Sequence, residues 1–88
     1  MIEQPQPPTD SDAELFRKLR ALRKRLADEQ VMPAYTVFSD ATLRSMAVER
    51  PSTRGELLSI KGVGRKKLDL YGAASLEVMI RSSRGVTQ

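Results

Sequence analysis

The chain has 88 residues, 40% of them hydrophobic and 30% charged, which suits one small globular domain and excludes a second. Cysteine and histidine are both absent, so disulfides, Cys/His zinc sites and imidazole-based catalysis are excluded. The net charge of +4 is uneven, because residues 1–13 hold three acidic side chains and no basic one, which leaves +7 on the remaining residues. This excess of positive charge favours a polyanionic partner. Nucleic acid is the first candidate, and an acidic membrane surface or an acidic protein is the alternative.

The start of the chain predicts a linker followed by a helix. Three prolines and few apolar side chains indicate a flexible Pro-rich linker over residues 1–11, which places the helical domain at 12–82 and a disordered tail at 83–88. A first helix is expected from Ser11 or Asp12. Its buried stripe consists of four leucines at intervals of four, three and four residues, namely Leu15, Leu19, Leu22 and Leu26.

The opposite face of this helix is basic. At about 100° per residue, Arg17, Arg20 and Lys24 fall together on the far face. Arg23 lies at the edge of the buried face. These cations are suited to follow a phosphate backbone, and the alternative is an ordinary solvated helix face.

The segment after the first helix predicts a packed connection with a single helical turn. Pro33 interrupts the helix, and residues 32–38 are too short and too poorly alternating for a strand. Phe38 is expected to anchor the connection in the core. Tyr35 either presents its ring as a stacking surface for a nucleobase or packs inward beside Phe38, and its spacing leaves both alternatives open.

The rest of the chain predicts further short helices. The second is capped by Ser39 or Asp40 and stops before Pro51, and the third starts at a capping box formed by Thr53 and Glu56. A fourth is expected from residue 65 to a flexible end at Gly72, and a fifth follows it. The predicted inward residues are Leu43, Met46, Ala47, Leu57, Leu58, Ile60, Leu68, Tyr71, Leu76, Met79 and Ile80. The fold class is therefore all-α, a compact bundle of about five short helices.

Between the third and fourth helices lies a turn typical of a helix-hairpin-helix. Gly62 and Gly64 flank Val63, and the next helix opens with cations. Glycines allow close approach of a phosphate to the backbone, and Lys61, Arg65 and Lys66 add charge there. The alternative is a plain turn in which Val63 fills the core. The spacing of a nucleotide-binding loop is missing, and the carboxylates are too scattered in sequence to predict a metal site or a catalytic pair.

Four ordered segments carry a resemblance to a known family. Residues 15–29, 33–43, 60–64 and 67–72 together resemble an HRDC domain, named for helicases and the C-terminal region of ribonuclease D. The resemblance is greatest to the HRDC domain of bacterial RecQ-family DNA helicases. It implies a five-helix, noncatalytic domain that helps the helicase engage single-stranded or branched DNA in recombination and repair. The domain itself would hold no cofactor, and ATP and Mg would belong to the helicase core.

The resemblance also implies a set of contact residues. The family's aromatic DNA-contact position falls on Tyr35, with Arg23, Lys24, Lys61, Arg65 and Lys66 as electropositive neighbours; Arg20 joins the set from the basic helix face. Many relatives have two prolines before the tyrosine, whereas Met32, Pro33 and Ala34 include one. Two alternatives remain: a protein-interaction module that docks on an acidic surface of the helicase or a partner, and an RNA-holding domain of a ribonuclease D-like exonuclease. A monomer in the bacterial cytoplasm, with no membrane partner, is expected.

Overall fold

The computed structural model describes residues 10–86, and describes side chains over residues 12–82. In this part of the chain there are four α-helices, α1 (Asp10–Gln30), α2 (Asp40–Glu49), α3 (Arg54–Leu58) and α4 (Arg65–Val86), with a 3₁₀ turn at Ala34–Thr36. The all-α prediction and the single turn in the connection are confirmed. Residues 1–9 of the predicted linker lie outside the described residues, whereas Asp10 and Ser11 already belong to α1.

The first helix buries three leucines of the predicted stripe, leaves Leu26 half-buried and ends in a tight cap. Leu15, Leu19 and Leu22 are buried along α1. The helix ends where Val31 adopts a left-handed conformation, with φ of 55°. The Val31 N–H donates to the carbonyl of Asp28, and the Met32 N–H donates to the carbonyl of Ala27. This pair of bonds is the Schellman cap, which satisfies the last carbonyls of the helix.

The second helix has both predicted ends. The Ser39 hydroxyl accepts a hydrogen bond from the Thr42 N–H, so Ser39 is the N-cap, and Arg50 ends the helix in a left-handed conformation before Pro51. For α3, the Thr53 hydroxyl accepts from the Glu56 N–H as expected. The Glu56 carboxylate, however, accepts from the Ser52 N–H rather than from the Thr53 amide predicted by the capping box.

The predicted break at Gly72 is wrong, because α4 continues through it. Gly72 is buried, and a Cβ there would lie 2.9 Å from Leu68 Cδ1 and 3.8 Å from a guanidinium nitrogen of Arg54. The glycine therefore leaves room for the Leu68 side chain one turn earlier in α4 and does not end the helix. The predicted fourth and fifth helices are one helix of 22 residues, which also includes residues 83–86 of the predicted tail.

The core lies where α1 packs against α2 and α4, and where α3 packs against α4. Phe38 is buried there as predicted, and its ring meets the ring of Tyr71 edge to face, with centroids 5.8 Å apart. Leu58 and Ile80 were predicted to face inward but are exposed. No helix among residues 10–86 is sufficiently long and apolar to span a bilayer.

Candidate nucleic-acid interface

The connection between α1 and α2, residues 31–39, has a fixed backbone. The N–H and the hydroxyl of Thr36 both donate to the Pro33 carbonyl, at 3.0 and 2.6 Å, and the Val37 N–H donates to the Ala34 carbonyl at 3.0 Å. Val37 and Phe38 then enter the core. The turn is therefore held by its own hydrogen bonds and by a buried anchor directly after it.

Tyr35 projects from this fixed turn into solvent. Its side chain is 73% exposed, so of the two alternatives for its ring the structure shows the outward one. The ring of Phe38 packs against Tyr71 in the core instead. The Tyr71 hydroxyl donates to Gln30 Oε1 at 3.1 Å, so Tyr71 belongs to the core as expected. An exposed phenol on a fixed backbone offers a flat apolar face at low cost in conformational entropy.

Arg23 lies in the interior, not in the solvent-exposed contact set. Its side chain is buried, one guanidinium nitrogen donates to the Phe38 carbonyl at 3.0 Å, and the same nitrogen lies 2.8 Å from an Asp40 carboxylate oxygen. Arg23 thereby ties α1 to the end of the connection and to the start of α2. The hydrogen bond and the charge of Arg23 hold the pKa of the Asp40 carboxyl below its usual range, and the charges of Arg20 and Arg44 add to this effect.

A basic groove runs along α1 beside the connection. It is lined by Arg17, Arg20, Arg23 and Lys24 on the helix and by Met32 and Ala34 of the connection. Ala34 directly precedes Tyr35, so the turn that carries the exposed ring borders this groove. Arg17 and Lys24 are exposed and pair with the neighbouring carboxylates Glu14 and Asp28. Such exposed pairs are weak and can exchange a carboxylate for a phosphate.

The hairpin carries the other predicted cations, Lys61, Arg65 and Lys66, all of them exposed. The Thr42 hydroxyl donates to the Lys61 carbonyl at 3.1 Å, which fixes the hairpin to the first turn of α2. Val63 is buried, as the plain-turn alternative expected, while the flanking cations face solvent. Arg65 lines a separate groove between α3 and α4. Arg20 and Lys24 therefore line one groove with residues of the connection. The hairpin cations lie outside that groove, on the turn that is bonded to α2.

Arg44 is a cation that the sequence patterns did not single out. It lies on the exposed face of α2, and its guanidinium carbon is 5.6 Å from the centroid of the Phe16 ring. Arg20 stands over the same ring at 5.9 Å. The available signal was helical spacing. Leu43 and Ala47 lie on the buried face of α2, and Arg44 lies outside that face. That spacing does not tell which helix lies alongside.

Carboxylates are spread over the described part of the molecule, and no group of three or more potential metal ligands occurs among those residues. Most of the acidic side chains near the basic groove are used in ion pairs: Glu14 with Arg17, Asp28 with Lys24, and Asp40 with Arg23. The arrangement of this region is therefore that of a cationic groove beside an exposed aromatic ring, a combination suited to polyanions that carry flat rings.

Comparisons with known proteins identify the family to which the fold belongs. The sequence profile of the HRDC domain matches residues 12–79. RecQ, an ATP-dependent DNA helicase of Pasteurella multocida, is 42% identical over 77 residues, which are 88% of this chain and 12% of that protein. The RecQ helicase of Bacillus subtilis is 49% identical over 69 residues, 78% of this chain and 12% of that protein. The ATP-dependent DNA helicase UvrD2 of Mycobacterium tuberculosis is 40% identical over 70 residues, 80% of this chain and 10% of that protein.

A solved structure shares the fold. RecQ HRDC domain 3 of D. radiodurans superposes with a TM-score of 0.76 at 37% sequence identity, covering 77% of this chain and 90% of that one. The fold and the site define a small helical domain with a basic groove. The chain belongs to the HRDC domain family, as its sequence resemblance implied. It spans about an eighth of the length of the RecQ helicases that it matches.

Proposed function

We propose that this domain binds unpaired DNA as the noncatalytic accessory module of a RecQ-type helicase. The observation that carries the proposal is the exposed Tyr35 ring on a hydrogen-bonded turn next to the basic groove of α1. Stacking on an aromatic side chain is open only to bases that have left the duplex. Tyr35 therefore supplies the preference for single-stranded or branched substrates, such as those of recombination and repair.

Phosphate contacts supply most of the affinity. Arg20 and Lys24 line the groove beside the turn, so a strand stacked on Tyr35 has cations along its backbone. Lys61, Arg65 and Lys66 extend the positive surface on the hairpin. Binding of this kind is independent of sequence and weakens with salt, because each neutralised phosphate releases counterions.

Arg23 acts as a positioning residue in this scheme. Its guanidinium group is bonded to the Phe38 carbonyl and to Asp40, and its side chain is 10% exposed. It holds the connection against α1, and through the connection it holds the Tyr35 turn in place. Arg23 therefore supports the turn that carries Tyr35 and does not contact phosphate directly.

The relatives support a helicase context over a nuclease one, because RecQ and UvrD2 are named as ATP-dependent DNA helicases. In this proposal ATP hydrolysis and Mg binding belong to a helicase core outside the present sequence. The domain adds affinity for the unpaired strand by linkage to that core, since two linked binding sites gain effective concentration. The protein would then act on DNA in the bacterial cytoplasm.

The test is an amide NMR titration of the 88-residue chain with an unlabelled single-stranded oligonucleotide, at low and moderate salt. We expect shifts in residues 31–39, on the outer face of α1 and at the hairpin, and we expect them to shrink as salt rises. Tyr35→Ala should weaken binding roughly five- to a hundredfold, the equivalent of about 1–3 kcal/mol for a stacked base.

Leu70→Ala is the matched control, because Leu70 is another large exposed apolar residue, on α4. It should leave DNA affinity unchanged. The proposal is wrong if no amide moves at low salt, or if Tyr35→Ala binds as Leu70→Ala does. The rival function, docking on an acidic protein surface, predicts the first of these results, whereas a ribonuclease D-like role predicts a preference for RNA over DNA of the same sequence.

A further inference from the structure

We propose that Arg20 and Arg44 together form a second phosphate-binding position, and that the bound strand continues from Tyr35 along α1 to this pair. The inference rests on the proposed function and adds the path that the strand takes. It also assigns a role to Arg44, on α2. The ligand is a phosphodiester of the same unpaired strand.

The pair is built on one aromatic ring. The guanidinium carbons of Arg20 and Arg44 lie 5.9 and 5.6 Å from the centroid of Phe16, and they come from different helices. Phe16 itself packs against the core, so the ring is a fixed platform. Guanidinium groups stack on aromatic faces and keep their N–H donors at the edges, where planar anions and phosphates are recognised.

The charge of the pair is available to a ligand. Within residues 12–82, neither Arg20 nor Arg44 takes part in a salt bridge, whereas Arg17, Arg23 and Lys24 each do. Two carboxylates lie nearby: Asp40 interacts with the charges of both arginines but forms its ion pair with Arg23, and Asp12 lines the groove with Arg44 but pairs with Arg50. Because both guanidinium carbons lie within 6 Å of one ring centroid, an anion at the edge of that ring is attracted by both charges.

Arg20 connects this position to the Tyr35 region. Arg20 lines the basic groove together with Ala34. Its guanidinium group also lies over the Phe16 ring. Phe16 and Arg44 in turn line a small apolar groove between α1 and α2. Ala27, which lines the basic groove near the end of α1, follows Phe16 by eleven residues, about 16 Å along the helix axis. A strand that runs from Tyr35 past Lys24 and Arg20 to Arg44 must therefore cover several nucleotides.

This path predicts a dependence on oligonucleotide length. Affinities would be measured by fluorescence anisotropy with oligothymidylates of about 4 to about 16 nucleotides, in the 88-residue chain and its variants. Arg44→Ala should bind the shortest oligonucleotides as the unchanged chain does and lose affinity several-fold for the longest. Its salt dependence with long oligonucleotides should fall by about 0.7 in the slope of log K against log salt, the value for one phosphate on a single strand.

Arg25→Ala is the matched control, because Arg25 is an exposed arginine on another face of α1 and its loss changes the net charge equally. Arg44→Lys keeps the charge without the planar group and should lie between Arg44→Ala and the unchanged chain. If Arg44→Ala and Arg25→Ala had equal affinities for oligothymidylates of every length, the proposal that Arg20 and Arg44 form a phosphate-binding position would be wrong. In that case a persisting loss in Tyr35→Ala would leave the proposed function intact, whereas no loss in Tyr35→Ala would remove both.

Discussion

The two loops proposed to meet DNA both turn through a positive φ, but they do so with different residues. The connection starts at Val31, with φ of 55°, and the hairpin turns at Gly62, with φ of 95°. The first angle is the left-handed region, which other residues reach at some cost, and the second lies beyond it and is accessible mainly to glycine. The comparison teaches that only the hairpin depends on glycine.

The surroundings sharpen this difference. A Cβ on Gly62 would overlap the Thr42 hydroxyl, which donates to the carbonyl of Lys61 and fixes the hairpin on α2. The Val31 side chain is 90% exposed and has no such neighbour to displace. The hairpin is therefore constrained by both backbone and packing, and the connection is constrained by the residues that follow Val31.

The largest effect is expected at Gly62. Gly62→Ala adds a strained φ and a clash with Thr42, so we expect a loss of about 2–4 kcal/mol in the free energy of unfolding. Urea unfolding followed by circular dichroism measures it. Gly64→Ala is the control, because a Cβ there meets no atom within 4 Å and its φ is not positive, so it should change stability far less. Equal losses would show that the hairpin is not held by the contact with Thr42.

The second effect concerns what holds the connection. Arg23→Met keeps the apolar stem but removes the hydrogen bond to the Phe38 carbonyl, so we expect a loss of about 1.5–3 kcal/mol in stability. DNA affinity should fall as well, through displacement of Tyr35, although Arg23 itself is buried. Arg25→Met is the control for the loss of one arginine. Unchanged stability in Arg23→Met would refute the anchoring role.

Acid titration provides an independent readout of the same contact. Because Arg23 lowers the pKa of Asp40, the folded state binds fewer protons than the unfolded state, and this stabilises the fold above the ordinary carboxyl pKa of 3.8. The contribution is lost as pH falls below that value towards the lower folded pKa. In Arg23→Met the stability difference from the unchanged chain should therefore shrink below about pH 4.

Much of the fold could be predicted from local patterns. The leucine spacing of α1, the Ser39 cap and the burial of Phe38 depend on residues close in sequence, and the structure confirms all three. Gly72 was misjudged because a local preference for a helix end does not stop α4, in which Gly72 is buried beside Leu68. Ile80 was misjudged because the buried stripe of α4 runs through Ser75 and Met79, one residue away.

The site was less accessible from the sequence, because it depends on contacts between elements. Helical spacing placed Arg23 at the edge of the core. It carried no information about the Phe38 carbonyl, which accepts a hydrogen bond from the buried guanidinium group. The aromatic partner of Phe38 in the core is Tyr71, which is distant in sequence, whereas the nearby Tyr35 faces solvent. The contact of Arg44 with Phe16 could not be predicted either, because it depends on how α2 packs against α1.

The smallest effect, with the opposite sign, is expected at Val31. A β-branched residue in the left-handed region costs of order 1–3 kcal/mol, and the Schellman cap at this position favours glycine. Val31→Gly should therefore raise stability by about 1 kcal/mol after the entropy cost of glycine is subtracted, measured by the same urea unfolding. Val31→Ala, which keeps a Cβ, should gain less. If Val31→Gly were destabilising, the connection would depend on the valine side chain, and the contrast with Gly62 would be one of degree rather than of kind.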